Sequence, residues 1–294
     1  MILMISTNQG LVTSKIVGLI FSLSLIFFDI GDTYSSIIFI SIMLSIGIPH
    51  GSVDHIIAFV NPKSRRFSSK LSFFSIYIAL IILNIFVWIL SPFLGLFLFL
   101  LISCYHFGET QVIGYHSTDN QLLNFVIGAN ILLSLFLNNI FELQEILIEF
   151  KFFSDIDLSS YENIFFLLIS VAVLMMSVLY FDIKRKVPLY AELSILYLIF
   201  YHTDILTSFS IFFGFSHSLP MLLMEYSELK EDSFFKFYLK TLPFTILSVF
   251  FGFILFYFND SLLTTENLIL FVFIVISSLT LPHVFIMKDF VNDK

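Results

Sequence analysis

Apolar residues run along this chain in long blocks, interrupted at intervals by charged residues or by clusters of Pro, Gly and Asn. The blocks fall at 14–29, 35–60, 71–90, 93–113, 121–139, 162–181, 188–202, 208–227, 241–258 and 267–287. A helix that crosses a bilayer needs about 20 mostly apolar residues, and the pattern predicts ten such helices. The two blocks between 188 and 227 also read as one broken helix. The first ten residues are short of a basic stretch, so the first block is expected to be structural and not a secretory signal. No internal repeat stands out and no soluble domain is attached, which predicts one polytopic domain over residues 1–294.

Composition sharpens this. Apolar residues make up 58% of the chain, charged residues only 12%, and Phe alone supplies 40 positions. A soluble domain carries roughly 25% charged residues. The mean hydropathy of +0.98 agrees. A soluble globule, a disordered chain and a nucleic-acid binder with a basic face are all excluded. The single cysteine, Cys104, rules out a disulfide framework and any cysteine-based zinc or iron–sulfur site.

The positive charges test the number of spans, because each span gained or lost inverts every later loop. With the N-terminus in the cytoplasm and ten spans, thirteen of the fourteen Lys and Arg fall inside. The exception is Lys151, in the acidic 140–162 loop beside Glu142, Glu145, Glu149, Asp155 and Asp157. The expected architecture is an all-α integral membrane protein of about ten helices with both termini cytoplasmic. Its expected location is the inner (plasma) membrane, multi-pass.

Seven histidines are the candidate chemistry, since an ionisable group inside a span marks a functional site by default. His116 lies in the short Gly114–Asn120 loop and His202 ends a span on the outer side, so both read as interfacial. His50, His106, His217 and His283 lie on spans two, four, eight and ten, which all run from outside to inside. They sit roughly 15, 10, 15 and 6 Å from the cytoplasmic ends of those spans, at 1.5 Å per residue. His55 is a turn nearer the cytoplasm than His50. Two readings are open at this point. Each imidazole is satisfied separately by a neighbouring helix, or the four converge on one metal, which is more economical with no Lys or Arg among them. All-nitrogen ligation suits Fe, Zn, Cu or Ni. A ligating His usually donates its other N–H to a carboxylate or carbonyl. Asp54 is four residues after His50 and Glu109 three after His106, spacings that share a helix face. Asp54 also neighbours His55.

The motifs resemble a known family. Gly47-Ile48-Pro49-His50-Gly51-Ser52-Val53-Asp54-His55 resembles the Pro-His-Gly-x-x-Asp-His signature of the Brp/Blh-type bacterial and archaeal β-carotene 15,15′-dioxygenases. Tyr105-His106-Phe107-Gly108-Glu109 is similar to their second signature, Phe215-Ser216-His217-Ser218-Leu219-Pro220 to the third, and Leu281-Pro282-His283 to a C-terminal element. They occur in family order over about residues 40–290.

The resemblance implies a membrane-embedded non-haem Fe(II) enzyme that splits the central double bond of β-carotene with O₂, giving two all-trans-retinal. It implies iron held by His50, His106 and His217. It also implies a partner, a rhodopsin in the same membrane that receives retinal. One position departs: the family has a second His four residues after the third-motif His, where this chain has Met221. Thioether sulfur is a poor match for Fe(II), so His283 is expected as the fourth ligand, with His55 and Met221 as alternatives.

The substrate would be a C40 hydrocarbon dissolved in membrane lipid, held by apolar and aromatic walls. Phe73-Phe74, Phe165-Phe166, Phe209 to Phe215 and Phe250-Phe251-Phe253 are candidates, although Phe at this density mostly packs. Scission of a C=C bond needs no general base, so Glu109 and Asp54 are expected to orient ligands. Tyr105 is a candidate oxygen contact. Three rivals remain on the sequence. A di-metal desaturase or hydroxylase would need clustered His boxes, yet no two His here are four apart. A haem protein would pair His on facing helices. A carotenoid-binding or transport protein of a rhodopsin system would bind without catalysis.

Overall fold

The computed structural model describes residues 7–26, 32–60, 69–112, 120–148, 183–257 and 265–292, together with residues 170 and 173. All regular structure among them is helical. In chain order the elements are α1 (Thr7–Ile26), α2 (Asp32–Ile42), the π-helical turn π1 (Met43–Gly47), α3 (Ile48–Gly51), α4 (Asp54–Val60), α5 (Lys70–Leu90), α6 (Pro92–Val112) and α7 (Gln121–Asn138). Then come α8 (Ile140–Ile148), α9 (Ile183–His202), α10 (Ile205–Ile211), the second π-helical turn π2 (Phe212–Ser218), α11 (Leu219–Leu229), α12 (Phe234–Tyr257) and α13 (Thr265–Asn292).

Among the described residues seven helical stretches are long and apolar enough to cross a membrane: Tyr34–Phe59, Lys70–Leu90, Pro92–Val112, Gln121–Asn138, Ile205–Leu229, Phe234–Ile254 and Phe271–Lys288. Two shorter apolar helices, Thr13–Ser24 and Val187–His202, coincide with the blocks at 14–29 and 188–202. The block at 162–181 lies outside the described residues, as do His116, Lys151, Phe165 and Phe166. The chain is therefore an all-α membrane protein, and each described block is helical, the 35–60 block being several helical pieces. The 188–227 region is two helices. Asp204 stops the first from running on by capping α10, its carboxylate accepting from the Leu206 and Thr207 N–H groups.

The chain divides into two compact units. One comprises Met1–His50, Cys104–Leu143 and Leu158–Lys230; the other comprises Gly51–Ser103, Gln144–Asp157 and Glu231–Lys294. In the first, α1 packs on α9 and α11, α2 on α10, α7 on α9, and π1 against π2. The second half of α6 lies so close to α7 that a Cβ on Gly108 would meet the Asn124 carbonyl oxygen, and one on Gly128 the Cys104 carbonyl oxygen. Small residues permit such approach where lipid offers no hydrophobic drive between helices. Lys15, counted from sequence among the cytoplasmic charges, is buried; its Nζ donates to the Gln111 carbonyl at 3.1 Å and lies 3.5 Å from a Glu192 oxygen. A charge so placed needs such partners.

In the second unit α13 packs along α5 and against α4. Polar side chains join α5 to α13: Asn84 Nδ2 donates to Ser277 Oγ at 2.8 Å, and Trp88 Nε1 donates to the same oxygen at 3.0 Å. Phe250, Phe251 and Phe253 on α12 are exposed. Exposed phenylalanines on a membrane helix fit a face toward lipid.

Candidate metal centre

Two of the signatures read in the sequence carry a proline that reshapes the helix around its histidine. Proline has no N–H, and its ring clashes with the carbonyl four residues earlier. Ahead of Pro49 the helix widens into π1, where the Ile48 N–H reaches back to the Met43 carbonyl. Ahead of Pro220 it widens into π2, where the Leu219 N–H reaches back to the Gly214 carbonyl. Each of these bonds spans five residues, the π pattern, which is common as a single bulged turn at functional sites. His50 lies in α3, which directly follows π1, and His217 lies within π2.

The two π turns fit each other through glycine. A Cβ on Gly47 would come within 2.8 Å of the Phe213 ring, and one on Gly214 would strike the Ile42 side chain. His106 reaches the same place from α6. The His217 ring centroid lies 5.3 Å from that of His50 and 4.9 Å from that of His106. All three imidazoles are 1–2% exposed. Three of the four histidines singled out by depth are thus brought together within the first unit.

Their neighbours are of two kinds. Around His217 the walls are aromatic, with Phe107 at 4.8 Å and Phe213 stacked at 5.4 Å, and Phe209 stacks in turn on Phe213 at 5.3 Å. Polar groups meet the rings at Nδ1. Glu225 Oε1, fully buried, lies 2.7 Å from His50 Nδ1, and Thr110 Oγ1 lies 2.9 Å from His217 Nδ1. The sequence reading overlooked both residues. A signal existed for each: Glu225 is a carboxylate inside a span, two helical turns beyond His217 with Met221 midway, and Thr110 stands one turn after His106.

The remaining candidates are placed as follows. His283, in the second unit, is held at Nδ1 by Asp54 Oδ1 at 2.8 Å, and the Tyr77 hydroxyl donates to Asp54 Oδ2 at 2.9 Å. Asp54 therefore serves His283. Along the chain, a turn at Ser52 and Val53 stands between α3, which carries His50, and α4, which Asp54 begins. His55 packs between aromatic rings, 4.5 Å from Phe244 and 6.3 Å from Phe74. The Tyr105 hydroxyl donates along α6 to Glu109 at 3.1 Å. Met221 is buried on α11.

Donor chemistry decides what this cluster can hold. Imidazoles gathered in an apolar pocket, with a carboxylate and a hydroxyl on their Nδ1 side, are a nitrogen ligand set with supporting hydrogen-bond partners. Such a set suits Fe, Zn, Cu or Ni and provides no thiolate. No curated protein and no solved structure matches the chain. The sequence pattern of the family described as Beta-carotene 15,15'-dioxygenase matches residues 41–290 of the 294. All four histidines drawn from the sequence lie within that span, and the chain belongs to the β-carotene 15,15′-dioxygenase family.

Proposed function

We propose that this protein cleaves β-carotene at its central double bond with O₂, giving two molecules of all-trans-retinal, and that it does so with one Fe(II). The observation that carries this reading is the buried meeting of His50, His106 and His217 from α3, α6 and π2, in a chain of a dioxygenase family. His50, His106 and His217 would hold the ion. His283 is added as the fourth ligand by its depth along its span and by the carboxylate that orients its ring. Iron, when bound, would supply the activation of O₂.

The chain's own residues do the rest. A polyene offers no hydrogen bonds, so its position relative to the histidines must come from shape. Phe107 and Phe213, in contact with the His217 ring, supply flat apolar surface beside the ligand set. The same rings exclude water, which protects reactive species from side reactions. No side chain is required as a proton donor or acceptor for the carbon skeleton. Carotene is dissolved in the bilayer and reaches a membrane-embedded site without crossing water. Retinal leaves into the same lipid, where a rhodopsin would take it up. The membrane concerned is the inner (plasma) membrane.

Co-expression with a β-carotene pathway in bacterial cells tests this directly. The expected result is loss of orange colour and retinal in the solvent extract, with both effects absent in His106→Ala that still inserts in the membrane. Retained colour with well-inserted wild-type protein, or cleavage undiminished in His106→Ala, would overturn it. Retained colour with carotene co-purifying would point to a binding protein instead.

A further inference from the structure

We infer that Thr110 is a positioning residue that fixes His217 as the Nδ1–H tautomer, so that this ring presents Nε2. The inference deepens the metal-centre reading, and only its consequence for metal binding depends on that reading.

The argument rests on counting protons around one hydroxyl. Thr110 Oγ1 lies 3.1 Å from the His106 carbonyl oxygen, 3.1 Å from the Phe107 carbonyl oxygen and 2.9 Å from His217 Nδ1. A hydroxyl has one proton to donate and lone pairs to accept with, and a carbonyl can only accept. Two acceptor-only groups therefore compete for the Thr110 proton. Of the three neighbours, His217 Nδ1 alone can bring a proton of its own. The consistent arrangement has Thr110 donating to the carbonyls of its own helix, as Thr commonly does within helices, and accepting from His217 Nδ1–H. Neutral imidazole has one N–H, so the proton on Nδ1 leaves Nε2 as the lone-pair nitrogen.

Burial makes this choice firm. Thr110 and His217 are 4% and 2% exposed, which leaves little room for water to offer the hydroxyl another partner. The same side of the ring is engaged elsewhere: Glu225 stands at Nδ1 of His50, and Asp54 at Nδ1 of His283. An ionised carboxylate only accepts, so it selects the same tautomer. The distinctive feature at His217 is that a neutral hydroxyl achieves this, because α6 surrounds it with carbonyls. One turn of α6 thus carries His106 itself and the group that sets His217.

The test uses the full-length protein in detergent micelles, labelled with ¹⁵N-histidine, without metal and with Zn(II) as a diamagnetic probe. His217 is assigned by comparison with His217→Gln. The expected long-range ¹H–¹⁵N pattern for wild type is Nδ1–H with unprotonated Nε2, and Zn(II) attached through Nε2. Thr110→Val should mix the tautomers and weaken Zn(II) binding by about 10–100-fold, the usual range for losing a ligand's supporting partner. Thr110→Ser should restore both. An Nε2–H tautomer in wild type would overturn the inference whatever the variants do, and so would attachment through Nδ1. Unchanged tautomer and affinity in Thr110→Val would also overturn it. The Nδ1–H tautomer in a protein that takes up no metal would support the role of Thr110 and remove the metal centre.

Discussion

At the scale of single residues, the fourth ligand is the sharpest question, because Met221 stands where the family resemblance leads to the expectation of a histidine. Met221 is buried one turn beyond His217, and its soft sulfur is a poor ligand for Fe(II). His283 has what a ligand needs, an Nδ1 partner in Asp54 that is itself steadied by Tyr77. His283→Ala should therefore lower iron content and retinal formation by at least about tenfold while membrane insertion is kept, and Asp54→Asn should weaken iron binding about 10–100-fold. Met221→His on its own should leave both unchanged. Metal analysis of the purified variants checks this. Iron retained in His283→Ala, or lost in Met221→His with the fold intact, would move the fourth position away from His283.

Elements impose the next layer, and here the two prolines matter more than their neighbours. Pro49 and Pro220 each follow a π turn by two residues, and each π turn delivers a histidine. A π turn holds one more residue than an α turn, and each residue advances a helix by about 100°. Pro220→Ala restores the missing N–H and lets the helix tighten, which would swing His217 off its heading. The change should hold or raise thermal stability, since proline costs a helix interior about 3 kcal/mol. Retinal formation should nevertheless fall about a hundredfold, the penalty of a displaced reacting group. Thermal unfolding in detergent together with extracted retinal measures both, and an unchanged turnover would remove the π turn from the site's design. The adjacent Pro49-His50 pair, Pro220 three residues after His217 and the mid-span glycines were plain in the sequence, as were the helices themselves. That Gly47 makes room for Phe213, and Gly214 for Ile42, was not. These are contacts between segments about 165 residues apart, and periodicity within one segment carries no information about them. The same holds for Glu225 and Thr110, whose polar character was visible but whose partners were not. Asp54 shows the converse: its spacing from His50 crosses a turn at Ser52 and Val53, and its partners His283 and Tyr77 come from distant segments that the spacing does not reveal.

For the whole molecule the governing quantity is the distribution of charge across the bilayer. Lys and Arg resist transfer across the membrane, and a bias of thirteen to one is a strong determinant of orientation. The bias depends on an odd number of crossings before Lys151, five in the ten-span arrangement, and on the next span returning the chain inside. Nine of the ten blocks coincide with described helices, so the count turns on 162–181 and on the two shorter helices. Among the described residues Lys15 is the buried one of the Lys and Arg, held by Gln111 and Glu192, and its partner carbonyl is at the C-terminal end of α6. That pairing sets Lys15 at the level where α6 ends, which is the cytoplasmic side in the ten-span arrangement. Single cysteines introduced in a Cys104→Ser background read the arrangement out. Ser154→Cys should react with a membrane-impermeant maleimide in intact cells, and Ser233→Cys only after the membrane is opened. Labelling of both from outside would mean an even number of crossings between them and would remove one of the three crossings expected between 162 and 227. The reverse pattern would invert the protein and put His50, His106 and His217 in the outer half of the membrane. Retinal would then be made facing the exterior leaflet, and the depth argument that first drew these histidines together would have to be rebuilt from the opposite surface.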